Sequence, residues 1–420
     1  MTQWLIGLAC LLTFFGNLGT VGSIAQFGSV GLMCAAAAYA LVTSRVRQGP
    51  MTSNEWILYA VGLSSLIICL VNSESETTAV SCAFMVTMIA ISLCARAVSL
   101  PQILDVGAYV VLGYILVSLA AERGSLMSIL SVSITKNGLM RLTPLGNVPN
   151  LSGYLFGGGS ILLARRAILT KSWIERLVMI GSVFMAILLV IASSARASLL
   201  AVGAAGLFAV SVEVGWKRLF SYRWVRNTTG LGILFALVLA GKIGGYLTAI
   251  LELDSKARGV GSGGTGRTEL WSRGIDALQE SPINFIFGGG FRSSASDLLG
   301  FSTENSYITI LLDSGIFLGS AAIVAFACAP YQALRLMRRD GGLDSPLLLL
   351  PSFFAFLLCE SVFNRYLLAI GNPISLMSVV LLFGLGLAQA RHKRALAVPV
   401  PRPVAPTPAG LPGPRQGTLK

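Results

Sequence analysis

Arg196 stands in IASSARASLLAV, where a turn of small residues separates two apolar runs. A guanidinium at the rim of two apolar helices, with no acid nearby in sequence, suits an anion such as phosphate or pyrophosphate. The alternative is an arginine snorkelling from a helix end. Arg267 follows the flexible stretch GVGSGGTG. That stretch does not fit GxxxxGK[ST] and no strand precedes it, which argues against a nucleotide P-loop. Beyond it, Leu270, Trp271, Ile275 and Leu278 recur at helical spacing before Pro282. The spacing predicts a short amphipathic helix from Thr268 to Glu280. Arg267 then sits at its N-terminus, where unpaired N–H groups and a guanidinium form a pyrophosphate cradle. A surface helix resting on the membrane is the plainer reading.

Glu304 and Asn305 stand at the mouth of a later apolar run, just before Tyr307. A carboxylate at a membrane rim can act as a general base, or it can simply complement the helix dipole. Asp313 lies two turns deeper, where a charge needs a partner or a polar cavity. Arg141, Pro149 and Asn150 precede another apolar run, with Asn150 placed to cap its helix. Asn364 and Arg365 occupy a further turn with Glu360 about one turn below, and an interfacial ion pair is the default there. Arg141, Arg273 and Arg365 are reserve anion ligands. No metal site is expected: outer segments lack a DxD pair, and no Walker or GxSxG motif is present. The single histidine, His392, lies in a basic stretch near the C-terminus. That argues against a Ser–His–Asp triad, a His-rich metal site and a His proton relay.

These residues hang on a chain of apolar segments. Of its 420 residues 54% are hydrophobic and 12% charged, and the mean hydropathy is +0.76. Soluble domains carry about 25% charged residues. A soluble enzyme, a secreted disulfide scaffold and a disordered protein are therefore excluded, leaving an all-α polytopic membrane protein. A spanning helix needs roughly 20 apolar residues for a hydrocarbon core of about 30 Å. Twelve segments qualify: 4–21, 25–43, 55–71, 78–95, 102–121, 151–164, 177–193, 198–215, 229–246, 306–327, 345–362 and 372–389, the sixth short enough that its helix should start earlier. The first lacks a basic n-region and a cleavage site, so it reads as a retained helix rather than a signal peptide. The seven cysteines (Cys10, Cys34, Cys69, Cys82, Cys94, Cys328 and Cys359) form no CxxC pair and read as small buried hydrophobes.

Charge sets the expected orientation. With both termini inside, 20 of the 31 Lys and Arg fall on the inner side, and the 11 outside are nearly balanced by ten acids. The net charge of +13 is then topology, not a nucleic-acid surface. A transmembrane domain is expected over 1–395, with outer segments 122–150 and 247–305. The Pro- and Ala-rich tail 396–420 is expected to be extended and disordered. Non-trivial polar sequence lies outside, and so should the function.

The order of these motifs resembles the bacterial O-antigen ligase and O-antigen polymerase family. The first element is SSARASLLAV, with Ala195 where a Ser often stands. The second is TGRTELW followed by SPINFIFGGGF. The third is ENSYITILLDSGIFLG, where the family pattern opens with His-Asn. RLTPLGNVPN is a weaker fourth. The resemblance covers residues 141–325. It implies that Arg196 and Arg267 hold the pyrophosphate of an undecaprenyl-linked oligosaccharide at the periplasmic face of the inner membrane, both termini being cytoplasmic. Asn150, Trp271, Asn305, Tyr307 and Asp313 are the supporting or substrate-binding positions. It implies an acceptor glycan and a chain-length regulator protein as partners, and neither a cofactor nor nucleic acid. The histidine position falls on Glu304. That departure favours a polymerase of O-antigen or exopolysaccharide repeat units over a ligase to lipid A core. Glu304 is then the base, with Arg196 and Arg267 as the catalytic cations. A lipid-linked sugar flippase or transporter is the competing class. It would need broken helices and midplane polar residues, whereas polar sequence here gathers at the outer rim.

Overall fold

The computed structural model describes residues 1–16, 19–43, 45–46, 49–72, 75–122, 142–215, 267–291, 303–369 and 371–397. Among them every regular element is helical. The chain runs α1 (Thr2–Thr13), α2 (Gly19–Val42), α3 (Ser53–Val71), α4 (Ser75–Ala97), α5 (Leu100–Ala121), α6 (Pro149–Leu169), α7 (Trp173–Ala192) and α8 (Arg196–Phe208), which continues as a π turn, Ala209–Val214. Then come α9 (Arg267–Gln279), α10 (Pro282–Phe287), α11 (Ser306–Arg339), α12 (Leu350–Ser361) and α13 (Pro373–Ala397). Eight of these helices are long and apolar enough to cross a membrane: α2 to α5, α7, α8 with its extension, α11 and α13. α1 and α12 are shorter apolar helices. The protein is a polytopic, all-helical membrane protein.

The expected spans meet these helices with instructive differences. α1 stops at Thr13 although Phe14 and Phe15 prolong the apolar run, because the chain turns there with successive backbone bonds from Phe14, Phe15 and Gly16 to residues three earlier. α6 starts earlier than 151, as expected, and also runs past 164 through Arg165 and Arg166. Those arginines look like loop residues in sequence but are paired inside the bundle. The expected span 229–246 and the tail 396–420 lie outside the described residues, apart from the tail's first two. Among the cysteines, Cys82 and Cys328 are exposed rather than buried. They sit on faces of α4 and α11 where an apolar side chain can meet lipid as well as protein.

Packing explains which helices are central. Every residue from Ser152 to Leu163 in α6 is buried, and so is every residue from Pro373 to Leu385 in α13. The glycines of α6 permit this. A Cβ on Gly159 would lie 2.4 Å from Val111 of α5, and one on Gly153 would lie 2.2 Å from the Ala195 Cβ at the start of α8. Peripheral helices instead expose large apolar side chains such as Phe27, Phe184 and Phe317, the pattern of a lipid-facing surface. Trp4, Trp56 and Trp173 are each more than half exposed and lie in the first turns of α1, α3 and α7. Tryptophans so placed suit a membrane–water interface.

Near that end, charges are tied up in buried and half-buried pairs. Thr52 and Glu55 form a capping box that starts α3, as the sequence TSNE requires. The Glu55 carboxylate also accepts from Arg96 of α4 at 2.8 and 3.0 Å and from Ser92 at 2.5 Å, while Arg96 donates to the Gly49 carbonyl at 2.8 Å. Asp105 of α5 pairs with Arg165 at 2.7 Å, and Arg166 bridges Asp105 and Glu175. Glu213 accepts from the backbone N–H groups of Leu349 and Ser352, filling the N-terminus of α12. Several basic residues counted above as topology signals therefore also join helices.

Removing one partner of a buried pair strands the other charge and costs about 3–5 kcal/mol. Arg96→Met should thus lower the thermal midpoint of the detergent-solubilised protein sharply. The double variant Glu55→Gln/Arg96→Met should recover most of the loss. A double variant no more stable than the single would contradict this account of the clasp.

Candidate functional site

The opposite end of the bundle collects the starts of α8, α9 and α11 and the turn 362–372 between α12 and α13. Close approach of α6 and α8 at Gly153 sets the first contact. Ser198, in the first turn of α8, donates to Glu360 Oε1 at 2.7 Å. Asn364 donates to the same oxygen from the following turn. Glu360 is fully buried, and among the described residues its Oε2 has no hydrogen-bond partner. The turn is fixed to α11 by several bonds. Asn305 accepts from the N–H groups of Tyr307 and Ile308, capping α11, and donates to the Val362 carbonyl at 3.0 Å. Ser306 donates to the Asn364 carbonyl at 2.5 Å, and the Tyr307 hydroxyl to the Leu358 carbonyl at 2.7 Å.

α9 closes the site from outside. Its Gly274 packs against Ile308 and Thr303, and Leu278 is buried, so this helix rests on the start of α11. Arg267, its first residue, places its guanidinium 5.9 Å from the Phe363 ring centroid, within cation–π range. Trp271, one turn on, lies 6.5 Å from the same ring. Tyr366 stands in the middle, 5.6 Å from the ring of Tyr154 in α6. Burial first, and then the nearby Glu304 charge, push its phenol well above the ordinary value, with Glu360 acting the same way. Arg365 and Arg267 pull it back. Four ionisable groups from three parts of the chain therefore bear on one half-buried, protonated hydroxyl.

Glu304 is half-buried and holds φ of +48°, a left-handed conformation rarely taken by a non-glycine residue. Such strain is concentrated at functional sites.

A second device positions α11. The helix breaks at Gly315, where φ is +71°, and the break frees backbone carbonyls. The N–H of Gly289 donates to the Leu312 carbonyl at 2.8 Å, and that of Gly290 to the Asp313 carbonyl at 3.0 Å. A Cβ on Gly288 would lie 2.4 Å from the Asp313 carbonyl oxygen, and one on Gly315 would lie 2.2 Å from that of Ile286. The next residue, Phe291, donates its N–H to Ser65 of α3 at 2.7 Å. The GGGF segment is thus a strap between α3 and α11. A broken helix is a transporter trait, but here the chain's own backbone occupies the freed carbonyls instead of leaving them to a substrate.

The sequence-derived residues fall into three groups. Arg267, Glu304 and Arg365 all bear electrostatically on Tyr366, and Trp271 packs with Arg267 against Phe363. Arg196 is the half-buried first residue of α8, two positions before Ser198. Asn305 and Tyr307 secure the start of α11, and Asp313 is buried on the wall of a neighbouring cavity. Arg273 is exposed on α9 and pairs with Glu269 at 2.5 Å. Asn150 does not cap α6: Val148 holds that position and Pro149 is the first helical residue, because proline suits a position needing no N–H. Arg141 lies outside the described residues. Sequence reasoning missed Tyr366 and Ser198, and it placed Asn364 and Arg365 in a turn above Glu360 but expected an interfacial ion pair there rather than the Asn364–Glu360 hydrogen bond. The available signal was Glu360 itself, a carboxylate inside an apolar run. Among the described residues no group of three or more His, Cys, Asp or Glu is placed to hold a metal ion.

The chain is thus a helical membrane protein with arginines and carboxylates gathered at one end. Residues 181–323, from within α7 to within α11, match the family model described as O-Antigen ligase. This supports the resemblance to the O-antigen ligase and polymerase family, whose members are membrane glycosyltransferase-like enzymes. Arg196, Arg267 and Glu304 lie inside the matched segment, whereas Glu360, Asn364, Arg365 and Tyr366 lie beyond it. No curated protein matches the chain.

Tyr366→Phe removes one hydrogen-bond donor from the site. Loss of a typical net bond of about 1–1.5 kcal/mol corresponds to roughly a tenfold fall in rate. Because the phenol stays protonated through the neutral range, the alkaline limb of the pH–rate profile should not move. A shifted limb in Tyr366→Phe would mean that Tyr366 titrates in the working range.

Proposed function

We propose that the protein polymerises repeat units of O-antigen or exopolysaccharide, transferring a glycan from undecaprenyl pyrophosphate to an acceptor sugar hydroxyl at the periplasmic face of the bacterial inner membrane. The carrying observation is geometric: Arg267 at the start of α9 lies over Phe363, and Asn305 and Ser306, which follow the strained Glu304, bind the Val362 and Asn364 carbonyls of the turn that carries Arg365. Glu304 accepts the proton of the acceptor hydroxyl. The hydroxyl oxygen bonds to the anomeric carbon of the donor while the bond from that carbon to the pyrophosphate oxygen breaks. Direct displacement inverts the anomeric centre. The leaving group is the lipid pyrophosphate anion, and Arg196 and Arg267 compensate its growing charge. Preorganised cations of this kind are usually a large part of catalysis. Beneath these groups, the buried Ser198–Glu360–Asn364 hydrogen bonds hold the turn that carries Arg365 and Tyr366. Asn150, Trp271 and Asp313 support the site in this reading, and a chain-length regulator is a partner of the assembled system.

The ligase reading uses the same chemistry with lipid A core as acceptor, and the description of the matched family favours it. The polymerase reading rests on Glu304 at the histidine position in a chain whose only histidine is His392. The filled break in α11 supports transfer over transport.

Glu304→Gln and Arg267→Ala should each insert and accumulate normally yet abolish long-chain polymer in a complementation assay. Added chelator should leave the wild-type activity intact. Wild-type chain lengths in both variants would sink the assignment, and loss of activity with chelator would point to a metal-dependent step.

A further inference from the structure

A cavity of about 740 Å³ lies next to this cluster. Its size is that of a small-molecule site, for which about 300–1,000 Å³ is typical. One face of α11 lines it with Ser306, Thr309, Ile310 and Asp313, at spacings of three, four and seven residues. That face descends roughly 10 Å into the bundle at about 1.5 Å per residue. Opposite stand the early residues of α2 and α4, among them Phe27, Val30, Val80 and Phe84, so the wall is mainly apolar. At its mouth are Arg365, exposed, and Tyr366.

The lining includes neither Arg196 nor Arg267, and neither Ser198 nor Glu360. Tyr366 is shared: it lines the cavity, and it feels Arg365 and Glu304 as well as Arg267 and Glu360. Two cations therefore stand at this end of the bundle in different settings: Arg365 on the lining of an apolar cavity that it shares with Tyr366, and Arg267 against Phe363 outside that lining.

We infer that the cavity under Arg365 seats the lipid of the acceptor, an amphiphile with a phosphate-bearing head and an isoprenoid chain, separately from the donor held at Arg267. This rests on the polymerase reading, in which both substrates carry such a lipid. Arg365 neutralises the head, and the apolar walls take the first part of the chain. The acceptor hydroxyl then reaches Glu304 from one side of Tyr366 while the anomeric carbon reaches it from the other. A ligase acceptor, which carries no isoprenoid, would have no use for this second seat.

Binding stoichiometry tests this without requiring turnover. The full chain is placed in phosphatidylcholine nanodiscs, titrated with undecaprenyl phosphate, and the retained lipid is counted by native mass spectrometry. Wild type should bind two molecules per chain. Ala83→Phe, which puts a bulky ring into the cavity, and Arg365→Ala, which alters only an exposed side chain, should each bind one. Arg267→Ala should also bind one, and Arg267→Ala/Arg365→Ala none. A parallel titration with phosphatidylglycerol should not displace the second molecule. A single site in wild type, two sites retained in Arg365→Ala and Ala83→Phe, or displacement by phosphatidylglycerol would each overturn the assignment. Because the count does not depend on polymer formation, its failure is distinguishable from failure of the polymerase reading, which the Glu304→Gln assay reports.

Discussion

The Glu360 carboxylate is the constraint around which one end of the bundle is organised. A buried carboxylate is expensive unless hydrogen-bonded or paired. Here Ser198 brings α8 to it, Asn364 folds the turn 362–372 back over it, and the charge of Arg267 reaches it from α9. Each of these partners carries a neighbour with chemistry of its own. Arg196 stands two residues before Ser198, and Arg365 and Tyr366 follow Asn364. Holding one buried acid thus gathers side chains far apart in sequence. It also leaves one carboxylate oxygen without a hydrogen-bond partner among the described residues.

The same end depends on backbone that only glycine permits. The break at Gly315 would leave helix carbonyls stranded inside an apolar bundle, and the N–H groups of Gly289 and Gly290 take them instead. The strap then continues to Ser65 and stacks Phe291 on Phe84 at 4.3 Å between ring centroids. Part of the segment expected as an outer loop is therefore built into the helix bundle. It fixes the orientation of α11, whose N-cap Asn305 follows Glu304 and one face of which lines the neighbouring cavity.

Much of this was legible in the sequence. Hydropathy alone located the apolar helices, because a spanning segment has a length set by the bilayer and few charges to obscure it. The spacing of Leu270, Trp271, Ile275 and Leu278 located α9, and with it the helix-terminal position of Arg267. Helix ends were harder. Arg165 and Arg166 look like loop residues, yet Asp105 and Glu175 hold them within the bundle, a pairing across helices that a linear reading cannot see. Tyr366 and Ser198 escaped for a related reason: each is an ordinary residue in sequence and becomes significant only through what the fold places beside it. Phe363 is similar, being one more aromatic in an apolar stretch until Arg267 and Trp271 pack against it.

In the proposed reaction this cluster is where lipid pyrophosphate leaves and the sugar bond forms. Phe363 lies beside both Arg267 and Trp271, so it reports directly on what enters there. A photo-crosslinking amino acid placed at Phe363, followed by irradiation with a radiolabelled undecaprenyl-pyrophosphate glycan, gives the most direct measurement. The account predicts a labelled adduct that excess unlabelled donor removes, with none from the same group at Tyr109 near the Asp105–Arg166 network. Labelling at Tyr109 with none at Phe363 would contradict it.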